Sequence, residues 1–226
     1  MKPKRIFLVR HGESQGNADK SVYLHTPDFA VNLTDKGKEQ ARAAGVSLSH
    51  IIGNEQTIIY TSPFFRTRQT ARLIADQLTC IPAPIQEDPR LREQEWSGRL
   101  RREANKQDEQ DERDSYSHFY YRFKTGESCA DVFDRLSDFF DTLHRDFKKD
   151  DFSENLILVT HGMTMRVFLM RWYHWTVERF EIVANPKNCE IWQMDKVWSI
   201  NKYRYQMLNM PAEYPKPRCR FTYQAP

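Results

Sequence analysis

Nothing inside this 226-residue chain looks like a linker: no Gly/Ser-rich or Pro-rich stretch interrupts it, and the one proline-dense segment, Pro211 to Pro226, lies at the carboxyl end. With no place to divide the chain, and with single α/β cores able to run past roughly two hundred residues, one domain over residues 1–208 and a Pro-rich tail over 209–226 are expected. Long apolar leaders are missing as well. The opening segment Met1 to Arg10 is basic and then apolar only from Ile6 to Val9, too short for a signal-peptide core or a bilayer span, so a cytoplasmic protein without membrane attachment is expected. The four cysteines, Cys80, Cys129, Cys189 and Cys219, form no Cys-x-x-Cys pair, and no two of the seven histidines have the four-residue spacing of a helical zinc site. Free thiols in a reducing compartment, no metal and no cofactor are the expectation. Against 34 basic residues stand 31 acidic ones, and a net charge of +3 is too small to suggest nucleic acid as a partner; a basic site has to be local.

What is present is an alternation of buried strands and amphipathic helices. Arg5 to Arg10 reads as a buried strand through the continuous run Ile6, Phe7, Leu8, Val9, and it stops at His11-Gly12. Asp35 to Ile52 reads as a helix with Thr34 as N-cap, Gly53 as stop, and Ala41, Ala44, Val46 or Leu48, and Ile51 on its apolar face. Thr57 to Thr61 is the next strand, and Phe65 to Leu78 the next helix, through Ala71, Ile74, Ala75 and Leu78 to a stop forced by Pro82 and Pro84. From Arg101 to Asp114 ten of fourteen residues are charged, which predicts a solvated helix or mobile insertion instead of core. The stripe Val132, Phe133, Leu136, Phe139, Phe140, Leu143, Phe147 predicts a core-facing helix. Leu156 to Val159 predicts a strand, Met163 to Trp175 an interior helix, and Glu190 to Asp195 a late strand with Lys196 to Ser199 turning into a hairpin partner. Strands separated by helices predict a mainly parallel sheet covered on both faces, with ligands at the carboxyl ends of the strands.

Both His-Gly pairs fall at that edge. Arg10-His11-Gly12-Glu13-Ser14-Gln15-Gly16-Asn17 places in one turn a guanidinium that can bind two phosphate oxygens, an imidazole that can attack phosphorus, a glycine that lets backbone come close, and an amide donor. A lone histidine is more often structural. Here His161-Gly162 follows a second strand, and Ser62-Pro63 with Arg66 follows a third. Phosphoryl transfer needs positioning and positive charge around the equatorial oxygens, which Arg10, Arg66 and a hydrogen-bonding His161 supply without metal. A proton donor is found in Leu91-Arg92-Glu93-Gln94-Glu95-Trp96, where either carboxyl would serve if partial burial raised its pKa.

These residues resemble the histidine phosphatase superfamily, also called phosphoglycerate mutase-like. The resemblance runs in order through Phe7-Leu8-Val9-Arg10-His11-Gly12-Glu13-Ser14 with Asn17, Leu33-Thr34 with Gly37, Gln40 and Ala41, Ser62-Pro63 with Arg66, Gln69, Thr70 and Ala71, Leu91-Arg92-Glu93, Gly126-Glu127-Ser128, and Val159-Thr160-His161-Gly162. It implies a three-layer α/β/α sandwich around a mostly parallel sheet. It also implies a phosphohistidine on His11, phosphate held by Arg10, Gly12, Asn17, Arg66 and His161, and Glu93 as general acid and then base. The acid loop departs from the family's usual Gly-x-Trp-Glu-Gly-like continuation, running Gln94-Glu95-Trp96-Ser97-Gly98; Glu93 keeps the family offset from Leu91 and is preferred over Glu95.

Residues 99–125 stand where this family carries its substrate-facing cap, with His118, Tyr120, Tyr121, Arg122 and Lys124 as specificity candidates; a solvated helix is the plain alternative. Arg68 reads as a surface charge and Arg166 as half of a structural ion pair. The expected function is a metal-independent phosphomonoester phosphatase acting on a small phosphorylated metabolite. The alternatives are a cofactor-dependent mutase, disfavoured because the stretch from Glu93 to His161 is shorter than in those mutases, and a non-catalytic phosphate-binding protein, disfavoured by the intact set of five site residue types.

Overall fold

The computed structural model describes residues 2–80, 84–96, 106–199 and 202–214. Six strands form one sheet in the order β3-β2-β4-β1-β5-β6. They are β1 (Arg5–Arg10), β2 (Thr57–Thr61), β3 (Gln86–Glu87), β4 (Asn155–Thr160), β5 (Ile191–Ser199) and β6 (Lys202–Met207). β1, β2, β3 and β4 run parallel, and β5 and β6 add an antiparallel edge. The helices are α1 (Gln15–Ala18), α2 (Asp35–Ile52), α3 (Phe65–Ala75), α4 (Lys106–Tyr116), α5 (Cys129–Asp146), α6 (Gly162–Tyr173) and α7 (Val177–Ile182).

The continuous apolar strands are explained by the two layers. Ile6, Leu8, Ile58, Tyr60, Leu156 and Leu158 point to one face and pack with Val132, Leu136, Phe139 and Leu143 of α5 and with α6. Phe7, Val9, Ile59, Ile157 and Val159 point to the other and pack with Ala44, Leu48, Ala71 and Ile74 of α2 and α3. A strand covered on both faces has no polar side to show, so the period of two vanishes from the sequence. The α5 stripe starts from a capping box in which Ser128 and Asp131 each bond the other's backbone.

Several elements differ from expectation. In α2 Ala41, Ala44 and Leu48 are buried, the alternative Val46 is exposed, and Ile52 is buried in place of Ile51, because Ile52 lies one helical step of four from Leu48 on the same face. α3 ends at Ala75, before the proline stop. β5 runs unbroken through Lys196 to Ser199, and β6 is the hairpin partner. The charged α4 is not solvated all round: Glu109 and Arg113 are buried, and the Arg113 guanidinium lies 4.8 Å from the Trp96 ring centre. The start of the charged insert, through residue 105, lies outside the described residues.

The segment expected to leave the domain at residue 209 stays on it as far as Tyr214. Asn209 bonds the backbone of Ile191 and Gln193, and Ala184 N–H and Tyr214 N–H exchange bonds between residues 182–184 and 212–214. We therefore propose a domain boundary beyond Tyr214; the rest of the tail, Cys219 included, is outside the described residues.

Candidate active site

The parallel register Arg10↔Thr160 and Thr61↔Val159 brings three strand ends to one edge, so the residues that follow them, His11, His161 and Ser62, share a crevice. The His11 and His161 ring centres are 5.2 Å apart at 64°, and both side chains are buried. His11 Nδ1 stands 2.7 Å from the Gly12 carbonyl, an acceptor only, so Nδ1 is the donor in this contact. His161 is the N-cap of α6, with Nε2 2.8 Å from Ser62 Oγ and the Phe64 ring 5.1 Å away.

Arg10 donates to the Pro186 carbonyl at 2.6 Å, and its Nε is buried with no hydrogen-bond partner among the described residues. Burial pulls this guanidinium below its ordinary pKa; Glu93 pulls it back up, and Arg66 pushes it further down. Arg10, Arg66 and Glu93 therefore lie within electrostatic reach of one another, and a dianion between the guanidinia would relieve their repulsion. Arg66, 2% exposed, donates to the Asp28 carbonyl at 2.7 Å and to the Asp28 carboxylate at 3.0 and 3.4 Å. Asn17 Oδ1 accepts from Ser14 N–H and from Asn188 Nδ2, which leaves the Asn17 amide hydrogens as what it can offer an anion.

Glu93 meets the first turn of α6. One oxygen accepts from Thr164 N–H and Oγ1, each at 3.3 Å, and the other faces Met163 N–H at 3.4 Å. Such amides hold a carboxylate in a fixed orientation. Glu95 lies further along, its backbone paired with Glu127.

Gly12 is where the nucleophile loop crosses α2. A Cβ there would come 2.3 Å from the Gly37 carbonyl oxygen, and one on Gly37 would come 2.0 Å from the Glu13 carbonyl oxygen. Gly37→Ala should therefore cost about 1–3 kcal/mol of stability through overpacking, read as a lowered urea midpoint with an unchanged slope. An unshifted midpoint would mean that the crossing yields.

Of the other candidates, Arg68 pairs with Glu87 at 2.9 Å as a surface charge. Arg166 departs from the ion-pair expectation: it donates to the Phe180 carbonyl at 2.8 Å and lies over the Phe180 ring, and burial lowers its pKa to about 10. In the cap region Tyr121 bonds Glu112 and Arg122 pairs with Asp131, while Tyr120 and Lys124 are exposed. His118 is fully buried between Asp114 at 2.8 Å and Glu181 at 3.8 Å. These contacts are within the cap and with α5 and α7.

Three parts of the site were not foreseen. Residues 186–189 pack against the Arg10-His11 backbone: besides the Pro186 carbonyl, Asn188 Nδ2 donates to the His11 carbonyl and Cys189 N–H to the Arg10 carbonyl. Cys189 takes a left-handed φ of 55° to do so, and burial lifts its thiol to about 12, away from nucleophilic use. Asp28 is the second part, and the pair Glu127 and Arg135 the third. The Pro-x-Asn turn was a visible signal for Asn188; Asp28 and Arg135 carry none, since only tertiary contact selects them.

Among the described residues no group of three or more His, Cys, Asp or Glu is arranged to hold a metal, and no helix is long and apolar enough to cross a membrane. The family model of the histidine phosphatase superfamily (branch 1) matches residues 6–205. The phosphoglycerate mutase-like protein AT74 of Arabidopsis thaliana is 41% identical over 206 residues, covering 85% of this chain and 65% of that protein, so the chain spans just under two thirds of that relative. The broad-range acid phosphatase DET1 of Saccharomyces cerevisiae is 28% identical, covering 89% and 88%. A mycobacterial glucosyl-3-phosphoglycerate phosphatase solved with VO3 superposes with a TM-score of 0.69 over 92% of this chain and 99% of that one; at 19% identity the likeness speaks for the fold.

Proposed function

Because this chain belongs to the histidine phosphatase superfamily, we propose that it is a phosphoric monoester hydrolase in which His11 takes the phosphoryl group from a small phosphorylated metabolite and water then removes it. The observation that carries this reading is the pairing of His11 and His161 across adjacent strand ends, their ring centres 5.2 Å apart, with the His11 ring oriented by the contact of its Nδ1 with the Gly12 carbonyl; the attack is assigned to Nε2. Arg10, Arg66, the Asn17 amide and His161 surround the phosphoryl oxygens, and the fixed charges stabilise the transition state without reorganising. Glu93 gives a proton to the leaving oxygen as the P–O bond breaks. The same carboxylate takes a proton from the water that attacks the phosphohistidine, so the enzyme returns to its starting state.

The test is release of inorganic phosphate from a panel of alkyl and sugar phosphates by the purified chain. Activity should persist in EDTA, and vanadate, which adopts the five-coordinate geometry of the transition state, should inhibit at low concentration. A strict need for added Mg²⁺ or Zn²⁺ would overturn the metal-free clamp. Conversion of 3-phosphoglycerate to 2-phosphoglycerate with a bisphosphoglycerate primer, without phosphate release, would make the chain a mutase.

A further inference from the structure

The loop that carries Glu93 is held by its own backbone to an unusual degree. The Leu91 carbonyl accepts from Thr160 Oγ1 at 2.7 Å, the Arg92 carbonyl from Thr164 Oγ1 at 2.8 Å, and the Glu95 carbonyl from Glu127 N–H at 2.9 Å. The carbonyls of Arg90 and Glu93 both accept from Arg135, the latter at 3.2 Å. Arg135 sits on α5, mostly buried, and forks onto Glu127: Nε reaches one carboxylate oxygen and Nη2 the other, each at 3.2 Å. Glu127 also accepts from the Arg92 guanidinium and, at 3.1 Å, from Glu95 N–H, while its own carbonyl accepts from Gln94 Nε2 at 2.7 Å.

We infer that Glu127 and Arg135 are positioning residues for the proton donor, which set where the Glu93 carboxyl stands without touching the substrate. The inference rests on reading Glu93 as the acid. Glu127 has no route to the reacting atoms except through this loop. Every polar atom it uses is spent on the residues flanking Glu93 or on the guanidinium that holds the Glu93 carbonyl. The charges are matched to the task. Burial lowers the pKa of Arg135 and the Glu127 carboxylate raises it again, so the forked contact favours the charged guanidinium inside the domain.

Glu95 and Glu127, which stand on either side of the charged insert in the sequence, are joined backbone to backbone.

A staple that only holds the fold and a staple that aims the acid differ in how a variant treats different substrates. An alkyl phosphate needs the proton; p-nitrophenyl phosphate, whose leaving group is a stable anion, does not. Glu127→Gln keeps the shape and removes the charge, and Arg135→Lys keeps the charge and removes the fork that reaches two carbonyls. Each should lower kcat/KM on an alkyl phosphate, which reports the phosphoryl-transfer step and not the later hydrolysis that both substrates share, by about tenfold to a hundredfold, the scale of a misplaced catalytic group, with kcat/KM on p-nitrophenyl phosphate changed by no more than about threefold. Thermal melting of both variants is read alongside, and if one fails to fold the other carries the comparison. Equal losses on both substrates would make the pair a structural staple and overturn the inference. Glu93→Gln is the control: if it shows the asymmetry and the two variants do not, the positioning role fails alone; if it shows none, the acid assignment fails and the positioning role falls with it.

Discussion

His11→Ala should release no phosphate above background from any monoester while keeping a cooperative unfolding transition. The imidazole is the only group in the crevice proposed to bond phosphorus, and its loss cannot be shared out among neighbours as the loss of one hydrogen bond can. Its Nδ1 bonds the carbonyl of the adjacent residue and not a distant element, so removing the ring should cost at most roughly 1–3 kcal/mol of stability although the side chain is 96% buried, 4% being exposed. Acid quench of the wild-type chain during turnover of labelled substrate should trap a phosphoryl group that is labile in acid and stable in base, as an N–P bond is, and peptide mapping should place it on His11. Normal turnover by the variant, or label on a serine or cysteine, would sink the mechanism. Cys189 is bonded through its N–H to the Arg10 carbonyl, and burial lifts its thiol to about 12, so it is a poor rival.

His161→Ala separates two effects that His11→Ala merges. His161 should be worth less, because Arg10 and Arg66 still surround the oxygens, and its ring also bonds Ser62, so part of the loss will be in stability.

Why the juxtaposition of His11 and His161 was legible in the sequence while the loop packed over them was not is a matter of distance along the chain. Arg10, His11 and Gly12 follow directly from a strand, and a buried parallel strand announces itself by four apolar residues in a row; the end of that run marks the ligand edge. The same logic finds His161 after β4 and Ser62 after β2. Helix bounds were legible where caps are local, as at Thr34 and Gly53, and failed where packing decides, as in the exposure of Ile51. The loop holding Asn188 is 177 residues from His11, and its contribution, one amide and two backbone bonds, leaves no trace in composition. In α4 the charge count pointed to water, but Glu109 and Arg113 are buried and the Arg113 guanidinium lies on the Trp96 and Phe123 rings; a count cannot tell a buried charge from a wet one. Residues 99–105 of the insert lie outside the described residues, so its expected role at the substrate stays a proposal.

Glu93→Gln should lose activity in proportion to how badly the leaving group needs a proton. Glutamine keeps the size of the side chain, and its one oxygen can still accept from Thr164 N–H, while its NH2 gives up the longer contact with Met163 N–H; it has no acidic proton to give. An alkoxide leaving group has a conjugate-acid pKa far above neutrality, and without protonation the P–O bond must break against a full developing charge. A nitrophenolate departs at neutral pH unaided. On alkyl phosphates the variant should therefore fall by about a hundred- to ten-thousand-fold, the usual worth of general acid catalysis, and on p-nitrophenyl phosphate the first half-reaction should be nearly normal. Glutamine is no base either, so hydrolysis of the phosphohistidine should slow, and the aryl substrate should show a burst of one nitrophenolate per site followed by a slow steady state. The burst is the more discriminating sign, because a variant that is merely misfolded lowers burst and steady state together. Glu95→Gln, altered at a residue whose backbone pairs with Glu127, should show neither the leaving-group dependence nor the burst. Exchange of the two behaviours would make Glu95 the acid; no dependence in either would remove this loop from proton transfer.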